Sequence, residues 1–314
     1  MSANSLRPKK KFGKFGYDNL AGFLFSLPAL LLLVLFILIP FIAAFVFSLY
    51  NVNFASPHPP TWMGLEQYRR ILFDPDTSPI FWHSLLNNLY FAAMVVPLQT
   101  GLAVLLAIFL NQKLRGIAFF RTFFFMPVVF PMSLVVVIWS LFFSRDNLGI
   151  FNSLLGTISG GLIQPIDWLG TEALALPSIA LLSIWAGVGF QMVVVLAGLQ
   201  EIPAELYEAA QIDKANKWQQ FLHVTLPGLR NTLVFVVMIT TIFSLRLFDQ
   251  VYILTGGTGG PLDSTSTVML QAVVSAFKNG NVGQGSAYTV IFVFIIVILT
   301  LIQRALIRQE KEIK

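Results

Sequence analysis

The sequence predicts an all-α membrane protein of six transmembrane helices with a cytoplasmic two-helix loop, on three observations. The 314 residues are 56% hydrophobic and only 11% charged, whereas about a quarter of a soluble domain is charged. Six apolar runs each reach the roughly 20 residues that a hydrocarbon core about 30 Å thick requires of a helix. Lysine and arginine collect on one side of those runs.

Residues 1–19 form a short basic tail with Arg7, Lys9, Lys10, Lys11 and Lys14. The apolar run behind it, about 20–50, is much longer than the roughly 7–15 residues of a signal-peptide core. It reads as an uncleaved first span, tilted or kinked at Pro28 or Pro40. Further spans are expected at about 84–110, 119–143, 173–199, 229–254 and 286–307. The alternating segments of roughly ten residues that build an outer-membrane barrel are absent.

An even number of spans puts both termini on one face. That face takes the basic tail, the connection with Lys113, Arg115 and Arg121, the passage with Lys214, Lys217 and Arg230, and the tail with Arg304, Arg308, Lys311 and Lys314. Only Arg69, Arg70, Arg145, Arg246 and Lys278 remain for the opposite face and its flanks, so the positive-inside rule makes the termini cytoplasmic. Three outer connections, about 51–83, 144–172 and 255–285, carry the Pro, Gly, Trp and Asp of short interfacial helices and turns. None is large enough for a separate domain, so residues 1–314 form a single transmembrane domain.

Several chemistries are excluded. Cysteine is absent, which removes disulfides and thiolate metal sites, and His58, His83 and His223 are too scattered for a metal site. The net charge of +5 is explained by topology rather than by nucleic acid. No G-x-x-x-x-G-K-[ST] phosphate loop occurs, so nucleotide is not hydrolysed here by that route. Asp249 is the sole acid within the spans, too few for a proton relay. No internal repeat supports an inverted-repeat transporter. Uphill transport would need energy from another subunit.

Polar positions within the spans mark candidate sites. Arg246 and Asp249, spaced i,i+3 in the fifth span, share a helix face. They read either as a substrate or ion site or as a structural ion pair near the outer interface. Thr240, Phe243, Ser244 and Leu247 follow i, i+3, i+4, i+7 and make one stripe. Ser183, Gly187 and Phe190 make a similar stripe in the fourth span, with Trp185, Gly189 and Gln191 close by. Close helix packing and a pathway wall for an uncharged, hydroxyl-rich molecule both fit these stripes. In the second span Asn87, Asn88 and Gln99 must find partners or face water.

The polar passage Glu201 to Pro227 reads as two short helices. Pro203 suits a first turn, and Glu205 and Glu208 lie where the helix dipole favours acids. Asn216 is a good N-cap with Gln219 as its capping-box partner, and the second helix is expected to stop before Pro227 and Gly228. Its Trp218, Phe221, Leu222 and Thr225 form an apolar stripe. Four acids against two lysines disfavour a helix lying on lipid, which leaves packing under the protein's own helices or insertion into a partner's groove.

Glu208-Ala209-Ala210, followed by Asp213 and ending at Leu226-Pro227, resembles the E-A-A loop of binding-protein-dependent ABC importer membrane subunits. Trp62-Met63-Gly64-Leu65-Glu66-Gln67-Tyr68, Arg121 with Met126-Pro127, and Phe248-Asp249-Gln250-Val251-Tyr252 running to Leu254-Thr255 and Gly259-Gly260-Pro261 resemble its carbohydrate branch, the maltose-type permeases. The resemblance covers nearly the whole chain. It implies a non-catalytic permease in the bacterial inner membrane, in contact with lipid and paired with a second homologous permease. Two ATPase subunits that bind ATP and Mg, and an extracytoplasmic sugar-binding protein, complete the assembly. It implies that the hairpin sits in a cleft of the ATPase, with Glu208 as its charged contact and Ala209 and Ala210 permitting close approach. It also implies sugar contacts at Ser183, Gly187, Phe190, Thr240, Phe243, Ser244 and Leu247. A polyol or glycerol phosphate would suit the same architecture, whereas a membrane-embedded enzyme would need a catalytic group within the spans, where no His lies, and a passive channel should conduct without nucleotide. Lys214 departs from the family, which has glycine there. Glycine permits φ > 0 between the two helices, at a cost of roughly 1 kcal/mol or more for a residue with a Cβ.

Overall fold

The computed structural model describes residues 15–54, 56–112, 115–146 and 148–312. Arg7, Lys9, Lys10, Lys11, Lys14, Lys113 and Lys314, which entered the charge count above, lie outside the described residues.

Hydrocarbon offers no hydrogen bonds to a backbone, so apolar runs of this length satisfy themselves as helices. The first comprises α1 (Phe15–Leu33) and α2 (Ile39–Phe47), joined through a π turn at Val34–Leu38. Pro28 lies inside α1 without ending it. Pro40 has no N–H to give to the preceding turn, and the wider turn falls just before it, with the Ile39 N–H reaching the Val34 carbonyl. α1 stands away from the rest of the chain, whereas α2 packs on the last helix.

A two-residue ribbon, β1 (Tyr50–Asn51) with β2 (Thr61–Trp62), leads to the amphipathic α3 (Glu66–Phe73). Then α4 (Ser78–Leu110) begins six residues before the predicted span and crosses in 33 residues. The stretch expected as one span at 119–143 is a broken one: α5 (Ile117–Val129) and α6 (Met132–Phe142) meet at 101°. The cause is Pro131, which pushes the residue before it out of the helical region. Phe130 (ψ 141°) and Pro131 (ψ 137°) are both extended.

After α7 (Ile150–Ile158), α8 (Glu172–Gln200) forms the centre of the bundle, packed on α4 and α5. Their contact depends on small residues. A Cβ on Gly189 would collide with the Phe124 carbonyl oxygen of α5, a contact only glycine allows. The hairpin of α9 (Ala204–Ile212) and α10 (Lys217–Gln220) follows, then a π turn at Phe221–Thr225 and the single turn α11 (Leu226–Gly228). The second arm therefore does not stop before Pro227. Helical backbone continues through Leu229 into α12 (Arg230–Leu245): Pro227 follows the widened turn at Phe221–Thr225, and the bonds from the Leu229 N–H to the Thr225 carbonyl (2.9 Å) and from the Leu233 N–H to the Leu229 carbonyl (2.8 Å) run past it.

The fifth span is also interrupted. α12 ends at Leu245, and α13 (Asp249–Leu254) begins after Phe248 at φ −146°. Buried side chains take the carbonyls freed by the break. Asn88 Nδ2 donates to the Leu245 carbonyl (2.8 Å) and Thr267 Oγ1 to that of Leu247 (2.9 Å). Asn88 Oδ1 accepts the Val268 N–H (3.0 Å) at the start of α14 (Val268–Val273), while Asn87 donates to the carbonyls of Asp263 and Ser266. The amides flagged in the second span thus hold the far end of the fifth in place. α15 (Val282–Glu312) closes the bundle against α2, α12 and α14.

Candidate functional site: a membrane cavity and a helical hairpin

A cavity of about 530 Å³ lies between α4, the α5–α6 corner, α8 and the α12–α13 break. Its size falls within the about 300–1,000 Å³ of small-molecule sites. Ser183, Gly187, Phe190, Thr240, Phe243, Ser244 and Leu247, the two stripes singled out by spacing, all line it. Their neighbours in sequence divide. Gly189 faces α5, and Trp185 packs on Trp139 with ring centroids 5.5 Å apart.

The wall also has polar groups that the stripes did not name. Gln191 Nε2 donates to Thr240 Oγ1, which in turn donates to the Val236 carbonyl (2.6 Å). The buried Gln191 Oε1 has no protein partner. An unsatisfied buried acceptor costs about 1–3 kcal/mol. Ser183 Oγ donates to the Ile179 carbonyl (2.8 Å) and lies 3.4 Å from Gln250 Nε2. Gln99 lies across Gly187, where an added Cβ would sit 2.5 Å from its Nε2. Gln99 and Gln191 carried a signal, as amides inside apolar runs; Gln250 and Phe130 reach the wall only through the two helix breaks.

Arg246 and Asp249 do not form an ion pair, one of the two readings their spacing allowed. Ion pairs among the described residues include Arg69–Glu66, Arg70–Glu66 and Arg145–Asp167, and neither Arg246 nor Asp249 is in one. The i,i+3 argument requires one continuous helix, and the helix is broken between these two positions. Both side chains line the cavity instead.

The hairpin is built by two capping motifs. At the end of α9, the Lys214 N–H bonds to the Gln211 carbonyl (3.0 Å) and the Ala215 N–H to the Ala210 carbonyl (2.9 Å), the pair of bonds that defines a Schellman motif. That motif requires a left-handed residue, and Lys214 supplies it at φ 57°. The turn is the one glycine would make, built with lysine. Asn216 then caps α10, exchanging bonds of 2.8 Å with Gln219 in the expected capping box. The Tyr207 hydroxyl and Thr225 Oγ1 (3.0 Å) tie the arms together.

Nothing in α9 is buried. Glu208, Ala209, Asp213, Leu226 and Pro227 are exposed and Ala210 is half-buried. Large apolar side chains join them on the surface, among them Leu206 at 50%, Ile212 at 81% and Trp218 at 65%. The second arm's stripe divides, with Trp218 outside and Thr225 buried.

The family described as binding-protein-dependent transport system inner membrane component matches residues 99–311. Among relatives, the trehalose/maltose transport system permease protein MalF of Thermococcus litoralis is 33% identical over 300 residues, covering 95% of this chain and 96% of its own. The lactose transport system permease protein LacF of Rhizobium radiobacter is 33% identical over 297 residues, covering 94% and 96%. The fold matches a chain from a bacterial ABC transporter that imports the acidic polysaccharide alginate, at TM-score 0.77 and 19% identity over 93% of this chain and 96% of that one. This protein belongs to the family of binding-protein-dependent transport system inner membrane components, the membrane permease subunits of ABC transporters.

Proposed function

We propose that the chain is one of two permease subunits of an ATP-driven importer that passes a sugar or oligosaccharide from an extracytoplasmic binding protein into the cytoplasm by alternating access. The observation that carries this reading is the convergence of both stripes on one cavity, whose α12 wall continues by helical backbone from an exposed hairpin. Hydroxyls, amides and the rings of Phe190 and Phe243 are the groups with which a protein meets sugar hydroxyls and ring faces. In this reading both termini and the hairpin are cytoplasmic. Two ATPase subunits bind ATP and Mg, and each permease inserts its hairpin into one of them, here through Glu208, Ala209, Ala210 and Asp213. Closure of the ATPases on ATP moves α12, which opens the cavity outward to the binding protein.

The test is the assembled transporter in proteoliposomes. Glu208→Lys is expected to abolish stimulation of ATP hydrolysis by sugar-loaded binding protein and to reduce uptake at least tenfold. Phe243→Ala is expected to weaken transport while leaving assembly intact. Unchanged coupling with Glu208→Lys would refute the docking role, and loss of assembly with Phe243→Ala would make the stripe a packing surface.

A further inference from the structure

The interruption between α12 and α13 puts two opposite charges on the cavity wall without joining them. Arg246 and Asp249 are exposed and line the cavity, and neither side chain has a hydrogen-bond or ion-pair partner among the described residues. Charge within a membrane protein is costly and faces water or the bundle interior. On an unbroken helix these positions would share a face and pair. Here the break is fixed from behind by Asn88 and Thr267, which take the freed carbonyls and leave both charged groups unused. Gln250, beside Asp249, is held to Ser183 of α8, so this rim of the cavity is tied to the opposite wall.

A guanidinium offers only donors and a carboxylate only acceptors. A hydroxyl is both, so a polyhydroxylated ring satisfies the two together, accepting from Arg246 and donating to Asp249. The pair has no net charge. A carboxylated ring would gain Arg246 but carry a like charge to Asp249, and an aminated ring would do the reverse. Either repulsion acts at direct contact distance, inside the Debye length, where salt screens it least.

We propose that Arg246 and Asp249 read the charge of the transported molecule, selecting neutral saccharides over acidic and amino saccharides. The inference rests on the saccharide reading above and narrows it to a class.

Equilibrium binding to the purified permease–ATPase complex tests it, with the binding protein omitted so that its own selectivity does not enter. The probes are maltose, trehalose and lactose, compared with a uronic-acid disaccharide and an amino-sugar disaccharide. The wild type is expected to bind a neutral probe at least tenfold more tightly than either charged one. Asp249→Asn should cut the discrimination against the uronic acid about tenfold, and Arg246→Gln should do the same for the amino sugar, each weakening the neutral probe by about 10–100-fold as one charged hydrogen bond is lost. A wild-type preference for a charged probe overturns the proposal, as does unchanged discrimination in both variants. Loss of the second permease from either variant complex also overturns it, assigning the charges to the subunit interface. Binding of no saccharide of any charge would instead sink the saccharide reading itself, and this inference with it.

Discussion

Lys214 sets the local energetics of the hairpin. Its left-handed conformation (φ 57°) costs about 1 kcal/mol or more relative to glycine, and glycine returns part of that through the freer unfolded chain, about 0.4–1 kcal/mol. Lys214→Gly should therefore stabilise the turn by roughly 0.5 kcal/mol, while Lys214→Val, with a branched Cβ, should open it. Hydrogen exchange at the Lys214 and Ala215 amides reads both directions, and equal protection in the two variants would show that the turn is not limited by this residue. A second residue-scale prediction concerns α3. The Arg69 guanidinium, with Arg70 beside it, lowers the Glu66 carboxyl from 4.5 to about 2. Because the folded value is depressed, the clamp's contribution is complete above about pH 4.5 and is lost as pH falls through about 2. NMR titration should place the Glu66 midpoint near 2 and move it toward 4.5 in Arg69→Gln; a midpoint already near 4.5 in the wild type would mean that the clamp does not form in solution.

At the scale of elements, the α5–α8 contact depends on one glycine. Gly189→Ala drives a methyl into the Phe124 carbonyl, an obstacle that cannot rotate away, and should cost about 1–3 kcal/mol of overpacking. Gly187→Ala meets only the end of the flexible Gln99 side chain and should be the milder change, narrowing the cavity instead. Thermal inactivation midpoints of the purified complexes should rank wild type, then Gly187→Ala, then Gly189→Ala, and a reversed order would place the critical contact elsewhere. The same elements mark what the sequence could reveal. The stripes through Phe243 and Phe190 were legible because the helical period fixes which residues share a face, and mixed hydroxyls and rings distinguish that face from one meeting only lipid. The capping box at Asn216 was legible because its chemistry is local. The corner at Pro131 had a signal that does not discriminate, since Pro28, Pro97 and Pro177 lie inside helices that pass through them. The break at Arg246–Phe248 had none. It contains no Pro or Gly, and its freed carbonyls are satisfied by Asn88, more than 150 residues away, and by Thr267. The ion-pair reading of Arg246 and Asp249, one of two that the sequence left open, required the unbroken helix.

Across the whole molecule, the hairpin and the cavity are joined along one path of backbone. From Lys217 the chain stays helical through the π turn, Leu226–Gly228 and Leu229 into α12, and ten residues beyond Arg230, about 15 Å along the axis, it reaches Thr240 on the cavity wall. A rigid helix carries a displacement at its base to its far face, whereas a flexible joint absorbs it. Gly228 packs so closely on Ile202 that an added Cβ would lie 2.7 Å from the isoleucine Cδ1, which seats the base of α12 against the end of α8. Inserting two glycines after Leu229 should interrupt this path while leaving the surface of α9 and α10 intact. The variant complex should retain its ATPase subunits and basal ATP hydrolysis, yet lose at least tenfold in uptake and in stimulation by loaded binding protein. Full coupling with the insertion in place would mean that motion reaches the cavity through the α8 side of the hairpin instead. Truncations on that side, beginning with Ile202→Ala, would then be the ones to uncouple.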